Sequence, residues 1–171
     1  MKILETKRLK IEHATLLDAQ FFYALLNSAN WKQFIGDFKI DSLEDAVSYL
    51  KRAILHSYEA NGFGLYVMRL KTNEQSIGIC GFIQRTYLEH PDLGFAVLPE
   101  YERKGYTYEA SVDILKYGLK ELNLTEIFAI TMKENIGSIG VLKKLNFQYL
   151  KQIQPNPKGA LIMLFSLNNQ A

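Results

Sequence analysis

The sequence predicts a mixed α/β single domain of the α+β type: a mainly antiparallel central sheet of about seven strands flanked by about four helices. Three observations carry that expectation. Short runs of strand character are joined by hairpin-sized polar loops such as "KTNEQ". Segments of helical period are bounded by caps. The elements run strand, two helices, three strands, helix, strand, helix, two strands, with no linker, repeat or low-complexity tract. Middle strands joined by hairpins fit a doubly wound nucleotide fold poorly, and a helix-turn-helix module fits worse. With 171 residues the chain suits one domain, 1–171, with a sizeable core.

"ILETKRLKIE" alternates and reads as the first strand. Thr15 with Asp18 resembles a helix-opening cap, after which Ala19, Phe22, Tyr23 and Leu26 form one apolar face. Ser42 with Asp45 opens a second, longer helix whose buried line is Leu43, Val47, Leu50, Ile54 and Tyr58, and Asn61-Gly62 stops it. "FGLYVMRL", "SIGICGFIQR" and "DLGFAVLP" are three strands. A long helix runs from about Gly105 to Leu122, with Val112, Leu115, Leu119 and Leu122 on one line and Ala110 and Ile114 beside it. "TEIFAITM" is a strand and "IGSIGVLKKL" a short helix; "FQYLKQIQ" and "GALIMLFSL" close the chain as a hairpin.

Composition excludes several classes. Hydrophobic residues at 48% and charged ones at 22% are those of a folded chain. A net charge of +2 gives no footprint for nucleic acid or a membrane surface. The alternating N-terminus is not that of a signal peptide or a membrane span, so a cytoplasmic setting is expected. Cys80 is the only cysteine and lies in an apolar run, where a buried inert thiol is expected. The three histidines have no ligand-like spacing, and no metal is expected.

"VLPEYERKGYTYEA" joins a strand to a helix start. Leu93, Phe95 and Val97 point to one face of the strand; Gly94 and Ala96, on the other, leave room for a ligand or for a tightly packed neighbour. Pro99 ends pairing. The amides from Arg103 to Thr107 then fall where a helix leaves N–H groups without partners, a place that binds phosphate. Gly105 serves the tightest point and Arg103 and Lys104 add charge, while Glu102 opposes it. One glycine leaves a plain polar turn as the alternative.

The stretches "DLGFAVLPEYERKGYTYEA" and "NLTEIFAITMKENIGSIGVLKKLNF" resemble the acetyl-CoA-binding core of the GNAT N-acetyltransferases, in particular the branch containing the ribosomal-protein N-terminal (serine/alanine) acetyltransferases. "LETKRLKIEHATLLDAQFFYALLN" is similar to that branch's opening, so the resemblance spans nearly the whole chain. It implies a GNAT-like domain that moves an acetyl group from acetyl-CoA, as co-substrate, to a primary amine. By the same resemblance Phe95, Ala96 and Val97 pair with the pantetheine arm, and the amides of Arg103, Lys104, Gly105, Tyr106 and Thr107 hold the pyrophosphate. Asn135 bonds pantetheine or caps its helix, and Ser138 faces the thioester. The family loop motif is Gln or Arg, two residues, Gly, one residue, then Gly or Ala. Here Glu102 and Thr107 depart from it and Gly105 is kept. The Tyr that many members place one turn after the serine is Leu142, and the usual helix-closing Gly is Asn146, the next best left-handed cap.

Direct attack by an amine needs a deprotonated nucleophile, an oxyanion donor and a proton for sulfur. The expected donor is a backbone N–H near Ala96 or Val97; Ser138 is the expected proton donor or thioester-holding group. Asp92 is the candidate base, acting through water, or else the partner of a surface cation. Glu89 and His90 are similarly placed on a loop, and Glu109 is assigned to the helix dipole. Trp31, Phe34 and Phe38, in the connection between the first two helices, either wall the acceptor pocket or pack as core. The expected acceptor is a peptide or protein N-terminal amine; a polyamine or aminoglycoside-like amine and a non-catalytic acyl-CoA-binding module are the alternatives. A monomer or homodimer is expected.

Overall fold

The structure, a computed structural model, describes residues 1–168; the last three positions of the expected 1–171 domain lie outside the described residues. The strands are β1 (Lys2–Glu5), β2 (Leu9–Glu12), β3 (Leu65–Leu70), β4 (Ser76–Ile83), β5 (Asp92–Val97), β6 (Glu126–Thr131), β7 (Gln148–Ile153) and β8 (Ile162–Asn168). The helices are α1 (Ala19–Leu26), α2 (Ala29–Phe34), α3 (Leu43–Tyr49), α4 (His56–Asn61), α5 (Tyr106–Lys120) and α6 (Ile136–Lys144). One sheet takes the order β1-β2-β3-β4-β5-β6-β8-β7, antiparallel throughout except between β5 and β6.

The expected strand count of about seven becomes eight because the first alternating run is a hairpin. Thr6 donates its amide to the Leu9 carbonyl at 2.9 Å, folding β1 back on β2 within a continuous alternation. Both expected caps form. Thr15 donates its amide to Asp18 Oδ2 at 2.8 Å. The Asp45 amide bonds Ser42 Oγ at 3.1 Å while the Ser42 amide returns to Asp45 Oδ2 at 2.9 Å. The expected second helix is instead α3, a π-helical stretch over Leu50–Leu55, and α4, ended by Gly62 at φ 75°. The expected aromatic connection contains a further short helix, α2.

The sheet has a core on each face. β3 shows how: Tyr66 and Met68 join one core with α5, and Leu65 and Val67 join the other with α1 and α3. Hence its near-continuous apolar run. On α5 the buried residues are Ala110, Ser111, Ile114, Leu115 and Gly118; the expected Leu115, Ala110 and Ile114 are among them, while Val112, Leu119 and Leu122 are only partly buried. Gly118 lets Phe82 approach the helix, since a Cβ there would lie 2.4 Å from Phe82 Cζ. Cys80 is fully buried, and desolvation pushes its thiol up to about 12, which keeps it protonated and unreactive.

The break that makes a site is between β5 and β6. They pair in register only at Asp92 and Phe128, where the Phe128 amide reaches the Pro91 carbonyl at 2.9 Å, and then diverge. Beyond Asp92 the β6-facing edge of β5 has no strand to pair with.

Candidate active site

Two connected cavities of about 270 Å³ and about 290 Å³ lie over this divergence, sharing Phe95, Ala96, Asn135 and Ser138 as walls. Backbone direction along β5 follows from one bond. Leu98 donates its amide to Ile77 O on the β4 side at 2.8 Å, and antiparallel strands alternate in direction every residue. Ala96 and Gly94 therefore give their amides to β4, whereas Leu93, Phe95 and Val97 turn theirs toward the opening. The expected oxyanion donor near Ala96 or Val97 narrows to Val97 or Phe95. Gly94 has the blander of its two explanations: a Cβ there would stand 2.8 Å from Ile83 Cδ1 and 3.2 Å from Leu65 Cδ2. It admits its neighbours.

The loop after β5 starts α5 with Gly105 at φ 78°, preceded by Arg103 at φ 59°. A left-handed residue at this point turns the chain sharply into the helix, so its first amides share one concave side. A Cβ on Gly105 would meet only Arg8 Nη2, at 3.5 Å. Glycine is thus required here by its backbone angle, and the space beside it belongs to Arg8. Arg8 is a residue that sequence reading missed. It donates Nε to Glu109 Oε2 at 2.6 Å, its amide to Glu109 Oε1 at 2.7 Å and Nη1 to the Lys104 carbonyl at 2.9 Å, and it lies 4.2 Å from the Tyr106 ring centre. Because a trans peptide points C=O and N–H oppositely, capturing the Lys104 carbonyl turns the Gly105 N–H away from Arg8.

The expected loop residues divide accordingly. Arg103 and Thr107 line the cavity. The Tyr106 ring faces Arg8, and Lys104 Nζ lies over Tyr101 at 5.3 Å, so from these two the backbone is what the loop can offer. Glu102, which opposed an anion in sequence, gives its carboxylate to the Asn30 side-chain amide on α2. Glu109, expected to serve the helix dipole, is the bracket of Arg8 and also accepts from the Thr6 hydroxyl at 2.5 Å. Burial raises its pKa, but the bonds from Thr6 and Arg8 outweigh that and hold it below the usual glutamate value.

Asn135 caps α6: its Oδ1 accepts the Ser138 amide at 3.0 Å, leaving Nδ2 as the donor it can turn to a ligand. Ser138 lines both cavities. Leu142 is 1% exposed and belongs to the core, so no phenol acid stands there. Asn146 closes α6 at φ 65°, as its left-handed preference suggests. Asp92 is 1% exposed and accepts from Arg85 Nε at 2.8 Å. Desolvation raises its pKa and Arg85 opposes the rise. Its partner is a cation in the cavity wall. Tyr49 was also missed; it lines the cavity from the end of α3, and desolvation lifts its phenol to about 12. Among the described residues no group of three or more His, Cys, Asp or Glu is placed to hold a metal, and no helix is long and apolar enough to cross a membrane.

Free strand edge on one side, helix-start amides on another and a capped Asn opposite suit a long ligand carrying both amides and phosphates. The class so defined is the acyl-CoA-dependent transferases. Residues 8–148 match the family model for the acetyltransferase (GNAT) domain, and the chain belongs to that family of acetyl-CoA-dependent N-acetyltransferases. It is 31% identical over 146 residues to the uncharacterized N-acetyltransferase YnaD of Bacillus subtilis, covering 85% of this chain and 82% of that one. Its fold is similar to that of RimL, a ribosomal L7/L12 α-N-protein acetyltransferase solved with coenzyme A (TM-score 0.82, 13% identity, 98% of both chains). It is also similar to a spermidine N-acetyltransferase chimera from Vibrio cholerae SpeG and hSSAT (TM-score 0.75, 15% identity, 94% and 95%).

Proposed function

We propose that this enzyme acetylates the N-terminal α-amine of a peptide or protein. The observation that carries this reading is the charge inventory of the cleft. Among the described residues lining it, the charged ones are Arg85, Asp92, Glu102 and Arg103, and both carboxylates are engaged, by Arg85 and by Asn30. A polyamine brings several ammonium groups, for which these walls offer no free carboxylate. An α-amine brings one. Its ordinary pKa of about 8 also leaves a working fraction neutral near pH 7, so it needs no strong base, whereas a lysine-type amine near 10.4 does.

Acetyl-CoA supplies the activated acetyl group. The amides of Arg103 to Thr107, the free edge at Phe95 and Val97, and Asn135 Nδ2 would hold it. The amine nitrogen forms the new N–C bond as the C–S bond breaks. The nitrogen loses a proton to water ordered near Asp92, and the departing sulfur takes one, for which Ser138 Oγ is the donor proposed. The Val97 or Phe95 amide supports the oxygen. Thiol release from acetyl-CoA, followed with a free peptide, the same peptide blocked at its N-terminus, and spermidine, tests the reading. Release with the free peptide alone is expected. Release with spermidine and silence with both peptides would assign the enzyme to small amines.

A further inference from the structure

The acceptor wall carries more information than its charge. Trp31, Phe38 and Tyr49 form a triangle of rings, with centroids 6.2 Å apart for Trp31–Phe38, 5.7 Å for Phe38–Tyr49 and 6.5 Å for Trp31–Tyr49. All three line the cavity of about 270 Å³ together with Phe34, Ile35 and Ile54. Two of these are not finished as core: Ile35 and Phe38 are each 48% exposed. Large apolar side chains left half-bare at a cavity wall gain by being covered. Trp31 adds a second, independent observation at the same wall. Trp31 is 4% exposed, yet its indole N–H has no hydrogen-bond partner. Buried N–H groups in folded proteins are nearly always paired, and this one can only donate. Among the described residues lining this cavity the charged ones are Asp92 and Arg85, and they pair with each other.

We infer that the first residue of the acceptor peptide is large and apolar, its side chain packed against Trp31, Phe38 and Tyr49. This rests on the N-terminal acetylation proposed above and names the substrate within it. The amine, the first carbonyl and the side chain of a peptide radiate from one α-carbon. The ring triangle is the counterpart of the side chain, and the same cavity runs on to the β5 edge at Phe95 and to Ser138, where the amine would meet the acetyl group. A first residue of Ala or Ser leaves the rings bare, and Asp or Lys puts an unpaired charge against them.

The test is a set of peptides differing only at the first residue, with kcat/KM measured at saturating acetyl-CoA. Leu-, Met- and Phe-initiated peptides are expected to exceed Ala- and Ser-initiated ones by at least about tenfold, the usual discrimination of an apolar pocket. Phe38→Ala is expected to shrink that ratio while the Kd for CoA stays put. Its half-exposed side chain makes the variant tolerable to folding, which the melting temperature checks. Equal or better turnover of the Ala and Ser peptides overturns the inference and leaves N-terminal acetylation standing. A ratio unchanged in Phe38→Ala overturns the assignment to this wall. Silence with every free peptide overturns both readings together and is recognised by that silence.

Discussion

Arg8 grips Glu109 with Nε at 2.6 Å and the Lys104 carbonyl with Nη1 at 2.9 Å, so a residue of the first hairpin braces the loop that opens α5 from behind. The chain between them is about a hundred residues long. The brace joins a side chain that is well determined by Glu109 to a backbone carbonyl whose orientation decides where the next N–H points.

Arg8→Gln is therefore expected to weaken CoA binding about tenfold, in line with the loss of a charge-assisted hydrogen bond. KM for acetyl-CoA should rise while kcat stays close to that of the parent protein. Arg8→Lys is the informative companion. A lysine can pair with Glu109 but lacks the fork that also reaches Lys104, so melting temperature should largely recover and CoA affinity should not. Calorimetric titration of CoA against both variants checks this.

Glu109 gives the brace a pH signature. Its folded pKa lies below the ordinary 4.5. The stabilisation from its ionised form is therefore fully present above that value, and it is lost as pH falls from there through the folded pKa. Melting temperature followed from pH 7 downward should decline below about pH 4.5. In Glu109→Gln the protein should be less stable at pH 7 and should lose less on acidification. Identical pH profiles would remove Glu109 from the brace.

Gly105→Val forces a β-branched residue to φ 78° and is expected to cost about 1–2 kcal/mol of stability. Gly105→Asn accepts the left-handed angle and should retain more of both stability and CoA affinity. A Cβ there would stand in ordinary contact with Arg8 Nη2 at 3.5 Å, so the backbone angle and not a clash separates this pair. If the two variants bind CoA equally, the backbone angle is not what the loop requires.

Ser138→Ala should lower kcat by about ten- to a hundredfold, the scale of a modest acid or hydrogen-bonding contribution. CoA affinity should hardly change. The helix cap is preserved in this variant, because Asn135 accepts the Ser138 backbone amide and not its hydroxyl. Unaltered turnover would make the serine structural only.

Local signals in the sequence translated well into structure. The Ser42–Asp45 box, the Gly62 stop and the left-handed Asn146 each depend on neighbours within a few residues, and each stands where expected. The β1–β2 turn did not announce itself, since the alternation runs straight through it. The π-helical stretch has no composition of its own, and it divides what reads as one helix into α3 and α4. The partners of Glu102 and Glu109 lie 72 and 101 residues away, on Asn30 and Arg8. From sequence each of these acids had only its near neighbours to be read against. Arg85 is the intermediate case: it follows Ile83, which pairs with Asp92 across β4 and β5, so strand register would have placed it.

The central claim is that backbone amides, at the free edge of β5 and at the start of α5, hold acetyl-CoA. Amide hydrogen exchange with and without acetyl-CoA measures those groups directly. Protection is predicted to rise at Phe95, Val97 and the stretch from Arg103 to Thr107, while the Ala96 amide, already given to β4, changes little. Binding of acetyl-CoA with protection confined to other segments would contradict the account.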